Sequence, residues 1–90
     1  VPQESIDLHG LRSDQAGRVL DRFIEECRQL DFECVEIIHG KGRNSEQAGG
    51  VLKPLVMHWL KQQSEVMAFS SAPHNAGGSG ATRVLLDFGD

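Results

Sequence analysis

The feature that most constrains the fold is a long amphipathic stretch followed closely by a short β-branched run. From Ala16 to Leu30 the apolar residues are Ala16, Val19, Leu20, Phe23, Ile24, Cys27 and Leu30. Steps of three and four place them all on one side of an α-helix. Gly17 costs such a helix roughly 1 kcal/mol without breaking its pattern, and Ser13 is the expected N-cap. After a short break comes Cys34-Val35-Glu36-Ile37-Ile38, which reads as a strand. Ser5 to Leu8 reads as a strand before the helix, stopped by Gly10. A strand, a helix and a second strand joined this closely favour parallel pairing through a right-handed crossover.

The rest of the chain extends this unit. A loop rich in glycine follows the second strand, and then Leu52, Leu55, Val56, Trp59 and Leu60 repeat at helical spacing. Pro54 is expected in the first turn of that helix, where its missing N–H is least costly. Val66 to Ser70 is a third strand, Ala72 to Ala81 a second glycine-rich loop, and Thr82 to Phe88 a fourth strand. The expected fold is an α/β two-layer sandwich of order β-α-β-α-β-β. Its sheet is mixed and four-stranded, both helices lie on one face, and the last strand runs antiparallel to the third. Ninety residues, 39% of them hydrophobic and 24% charged, suit one globular domain spanning residues 1–90. The chain opens at Val1 rather than Met, which we read as a piece of a longer protein.

Composition narrows the function classes. No apolar run approaches the ~20 residues of a membrane span, and no signal-peptide pattern opens the chain. Cys27 and Cys34 have neither the number for a disulfide scaffold nor a common zinc spacing, and are expected as reduced thiols in a cytoplasmic protein. The net charge of −4 argues against strong nonspecific nucleic-acid binding. Charge is uneven, however. Residues 1–37 hold nine acids and four bases, a net of −5, whereas residues 38–90 hold four acids and five bases, a net of +1. A local basic surface on an acidic protein is compatible with this distribution.

The topology brings three unusual segments to one edge. Asp7-Leu8-His9-Gly10 ends the first strand, His39-Gly40-Lys41-Gly42 ends the second, and Gly77-Gly78-Ser79-Gly80 follows the third. In open α/β sheets ligands bind at the carboxyl ends of the strands, and both helix N-termini point there. Asp7 and His9 alternate along the chain, so both face one side, and a carboxylate beside an imidazole orients it. The candidate acid–base residues are Asp7, His9 and His39. The candidates for holding phosphate are Gly40, Lys41, Gly42, Arg43, Gly77, Gly78 and Gly80. This set suits general acid–base cleavage of a phosphodiester. One carboxylate is a thin magnesium site, so no built-in metal is expected, with a divalent cation such as magnesium at most stimulatory. His58 and Trp59 sit on the second helix and are read as structural.

Taken together the three motifs resemble those of the Smr (small MutS-related) domain family, over residues 5–88. Gly50-Val51-Leu52-Lys53 and Val66-Met67-Ala68-Phe69 are similar to it as well. The resemblance implies a fold like the C-terminal domain of bacterial translation initiation factor three. It also implies an endonuclease. The first expectation is single-strand nicking of DNA, with a preference for branched structures. The alternatives are RNA cleavage, including messenger RNA at stalled ribosomes, and a binding module for nucleic acid or the ribosome that does not cut. Carried over onto this chain, the motifs give Asp7 and His9, then His39 to Gly42, and then the glycines Gly77, Gly78 and Gly80 as a backbone loop near the substrate.

Overall fold

The computed structural model describes residues 1–40, 49–74 and 77–89. Its elements are β1 (Glu4–Asp7), α1 (Ser13–Leu30), β2 (Cys34–Ile38), α2 (Gly49–Gln62), β3 (Val66–Ser71) and β4 (Ala81–Leu86), with a 3-10 turn at Gly78–Gly80 before β4. The order is the one expected, and the four strands form one mixed sheet.

The strand order across the sheet is β1-β2-β4-β3. β1 and β2 pair in parallel, with Ile6 opposite Ile37 and Asp7 opposite Ile38. β4 lies antiparallel to both of its neighbours, with Val84 opposite Val35 on one side and opposite Phe69 on the other. The first three strands therefore share one direction, as expected, but β2 and β3 are not neighbours. The hairpin return inserts β4 between them. This puts the most buried strand, Ala81–Leu86, at the centre of the sheet, where Val84 and Leu86 are buried.

One face of the sheet carries both helices. Leu20, Phe23, Ile24 and Cys27 of α1 and Leu52, Val56 and Leu60 of α2 share a single core with Val35, Ile37, Val84 and Leu86. The other face is more open: Leu85 and Met67 are largely exposed, and Arg83 pairs with Glu36 across β2 and β4 at 3.1 Å. Cys27 is buried within the core and Cys34 is half-buried, both as free thiols.

Local details depart from expectation at two points, the N-cap of α1 and the place of Pro54. The N-cap of α1 is Arg12, in extended conformation, and Ser13 is the first helical residue. Because an arginine has no acceptor to offer, the Gln15 side chain reaches back instead and accepts the Arg12 N–H at 3.0 Å. At the other end, Asp31 takes the left-handed conformation, φ 55, and closes the helix with bonds from Asp31 N–H to Arg28 and from Phe32 N–H to Cys27. In α2, Pro54 lies beyond the first turn, because the helix already starts at Gly49. Its missing donor would have faced Gly50, so the lost bond falls next to the helix start, where the disruption is small.

Candidate active site at the carboxyl edge of the sheet

Backbone hydrogen bonds tie the three motifs together. Leu8 N–H donates to the Ile38 carbonyl at 2.7 Å, fixing the end of β1 to the end of β2. The Gly80 carbonyl accepts two donors, His39 N–H at 3.0 Å and Gly40 N–H at 2.9 Å, using both lone pairs. The first motif thus meets the second, and the second meets the third. Gly40 has φ +85, and a Cβ there would lie 3.9 Å from the Cβ of His9. The described parts of all three motifs converge on one rim.

Asp7 and His9 form the exposed part of this rim. Asp7 is the last residue of β1 and pairs with Ile38, so it faces away from the helices, while Leu8 between them is fully buried. The Asp7 Oδ1 accepts the His9 backbone N–H at 3.0 Å, which bends the chain into a turn that Gly10 completes at φ +91. The same oxygen lies 3.6 Å from His9 Nδ1, and the two side chains are 56% and 75% exposed. That distance is an electrostatic contact rather than a hydrogen bond. It favours Nδ1–H facing the carboxylate, with Nε2 turned outward as the acceptor. An imidazole so placed can exchange a proton with a bound molecule.

His39 occupies a different setting. It is fully buried. Its Nδ1 donates to the Gly40 carbonyl at 2.8 Å, which fixes the proton on Nδ1 and leaves Nε2 to accept the Thr82 hydroxyl at 2.9 Å. Burial holds its pKa below the ordinary imidazole value, and the charge of Lys53 acts in the same direction. With both nitrogens occupied and no surface exposed, this arrangement does not fit the second acid–base group expected at His39. It fits a brace between β2, the Gly40 turn and β4. Thr82 completes the brace, and sequence reasoning gave it no role. Its register opposite Ile37 places it beside His39 only once β4 sits next to β2.

The glycines also differ from expectation. Gly78 N–H donates to the Pro73 carbonyl at 3.1 Å and Gly80 N–H to Gly77 at 3.0 Å. Gly40 N–H is likewise spent on Gly80. These amides serve the loop itself and are not available to hold phosphate. The need for glycine is conformational at Gly77, where φ is +117 and a Cβ would lie 3.1 Å from that of Ala81. Lys41, Gly42 and Arg43 lie outside the described residues. Among the described residues no group of three His, Cys, Asp or Glu side chains is placed to hold a metal, and no helix is long and apolar enough to cross a membrane. A concavity of about 400 Å3, lined by Phe32, Met67 and Phe88 among others, opens at the opposite edge of the sheet. It contains none of the rim residues.

The family model described as Smr domain matches residues 6–87, a span that includes all three motifs. The chain belongs to the Smr domain family. Among solved structures, the Smr domain of Thermus thermophilus MutS2 is similar at TM-score 0.82 and 32% identity, over 93% of this chain and 98% of that one. YdaL of Escherichia coli, a stand-alone small MutS-related protein, is similar at TM-score 0.85 and 30% identity, over 91% of this chain and 63% of that one. Among curated proteins, the ribosome rescue factor SmrB of Aliivibrio fischeri is 39% identical over 90 residues, all of this chain and 48% of that protein. The protein of the same name from Tolumonas auensis is 39% identical over 87 residues, 97% of this chain and 47% of that one. The chain spans about half the length of these curated relatives.

Proposed function

We propose that this Smr domain is an RNA endonuclease acting on messenger RNA at stalled ribosomes. The observation that carries the reading is the exposed Asp7–His9 pair, 3.6 Å apart, on a rim where three chain segments meet. The substrate class follows from the relatives named ribosome rescue factor that match the chain over its whole length. That name favours the RNA alternative over the DNA nicking expected first. It also favours a cytoplasmic setting, with the ribosome and its messenger RNA as partners.

His9 is the group that touches substrate. Its outward nitrogen takes the proton from a ribose 2′-hydroxyl, and the resulting oxygen attacks the adjacent phosphorus. The bond from phosphorus to the 5′-oxygen breaks, that oxygen takes a proton from solvent water as it leaves, and His9 returns its own proton to solvent. The products are a 2′,3′-cyclic phosphate and a 5′-hydroxyl. Asp7 keeps the imidazole in the correct tautomer and steadies its positive charge once the proton has arrived. His39 and Thr82 are positioning residues, because they hold the turn at Gly40 against which His9 sits. Lys41 and Arg43 are proposed to neutralise the phosphate, as cationic side chains next to the rim in sequence.

The test is cleavage of an end-labelled RNA and a supercoiled plasmid by the same folded protein. RNA is cut, the new end is a cyclic phosphate, and His9→Ala slows cutting by roughly 10²- to 10⁴-fold. His9 is largely exposed, so this variant keeps its thermal midpoint. Full activity in both His9→Ala and Asp7→Asn would falsify the site. Plasmid nicking without RNA cleavage would return the reading to DNA.

A further inference from the structure

The rim continues onto the outer side of α1. The helix leaves the His9 turn directly: Leu11 N–H donates to the Leu8 carbonyl at 3.0 Å, and Arg12 is the N-cap. Leu11, Gln15, Arg18, Val19 and Arg22 line a shallow groove of about 240 Å3 along this side. Two guanidinium groups, Arg18 and Arg22, line the groove, and Arg12 stands just outside it at the N-cap, sharing Asp14 with Arg18. At ~1.5 Å rise per residue, Arg12 and Arg18 are separated by about 9 Å along the axis, and Arg18 and Arg22 by about 6 Å.

The balance of charge along this groove is positive. Arg12 and Arg18 share a single carboxylate, Asp14, at 3.3 and 3.5 Å, and that carboxylate is held below its usual range chiefly by its hydrogen bond from Arg12. Arg22 makes no ion pair among the described residues. The other acids of the helix are directed elsewhere or lie further along it. Asp21 accepts the Trp59 indole N–H at 3.0 Å, Glu25 pairs with Arg28, and Glu26 follows Arg22 and bounds the basic stretch. Arg12 and Arg18 are 72% and 67% exposed, so neither is required for packing. From Arg12 to Leu30 the four arginines are matched by Asp14, Asp21, Glu25 and Glu26, so the positive charge is local to the side of α1 that carries Arg18 and Arg22.

We propose that Arg12, Arg18 and Arg22 form a track for the phosphates of single-stranded RNA flanking the bond to be cut. The proposal deepens the endonuclease reading, and rests on it for the identity of the strand. Guanidinium groups bind phosphate through paired N–H donors, and the half-buried Leu11 and Val19 offer apolar contact to ribose or base between them. The track leads away from His9 along α1, so it grips the strand on one side of the cut only. Neither base edges nor stacking rings are involved, so the grip is independent of sequence.

The experiment measures binding and cutting separately. Fluorescent single-stranded RNA is titrated with the 90-residue chain carrying His9→Ala, which slows cutting, with and without Arg18→Ala and Arg22→Ala. Losing two phosphate contacts lowers the slope of log affinity against log salt by roughly 1.4, and lowers affinity on the order of tenfold at low salt. Lys61→Ala, which removes one charge from the far end of α2, leaves both quantities nearly unchanged. In the cutting protein the arginine double variant raises KM more than it lowers kcat. Shortening the RNA on one side of the cut mimics the double variant, and shortening it on the other side does not.

Unchanged affinity and salt slope in the double variant overturn the track, and so does an equal effect from Lys61→Ala. So does the absence of RNA binding by the parent protein. If the parent cuts RNA while the double variant behaves like it, the track fails and the endonuclease reading stands. If the parent binds through these arginines but cuts nothing, the endonuclease reading fails and the track stands.

Discussion

The brace between His39 and Thr82 makes a quantitative prediction. In Thr82→Val the hydroxyl is replaced by a methyl of similar size, and His39 Nε2 loses the donor it has at 2.9 Å. Thr82 is 2% exposed and His39 0%, so water cannot substitute without opening the core. A buried acceptor left without a partner costs about 1–3 kcal/mol. In a domain of this size each kcal/mol lowers Tm by about 4–8 °C. Thr82→Ser keeps the hydroxyl and removes one methyl, worth about 0.8 kcal/mol of burial. Thermal unfolding of the three proteins, with nitrogen-15 NMR of the His39 ring, checks both consequences. The expected order of stability is parent, then Ser, then Val. Parent and Ser show the proton on Nδ1 and a hydrogen-bonded Nε2, and Val shifts the Nε2 resonance. If Ser is as unstable as Val, methyl packing rather than the hydroxyl holds this corner and the reasoning fails. If Val matches the parent in both stability and ring spectrum, the bond is not made.

Three further outcomes follow from the same geometry. His39 has a pKa lowered by burial below the ordinary imidazole value of about 6.5, so the unfolded chain takes up its proton first as pH falls. The stability tied to this group is therefore fully present above about pH 6.5 and is lost as pH drops through the lowered folded value. Denaturant midpoints should fall across that window in the parent and fall less in His39→Gln. Gly77→Ala combines a positive φ with a 3.1 Å approach to the Ala81 Cβ, and should cost more than the roughly 1–2 kcal/mol of left-handed backbone alone. Gly10→Ala, with open space around its Cβ, should show only that smaller cost in the same unfolding assay. Leu20→Ala, at a fully buried position of α1, should lose about 2–5 kcal/mol. Leu30→Ala, where the side chain is 61% exposed, should lose less than about 0.5 kcal/mol.

The sequence by itself determined the elements, their order and the convergence of three motifs. Each of these rests on local periodicity or on chain direction. The apolar spacing from Ala16 to Leu30 can be met only by a helix, and β-branched runs bounded by glycine are strands in almost any context. A parallel strand-helix-strand unit then sends every strand end to the same edge, which is why Asp7, His9 and His39 could be assigned to one rim before any coordinates. Tertiary structure alone decided where β4 lies, because strand adjacency depends on which apolar surface gains most from the centre of the sheet. That placement sets Thr82 beside His39 and makes the imidazole, expected as an acid–base group, a buried brace. It also decides that the amides of Gly40, Gly78 and Gly80 are used by the loops themselves. Whether a donor is free or engaged depends on the partners that folding brings within hydrogen-bonding range, and motif spacing along the chain does not encode those partners.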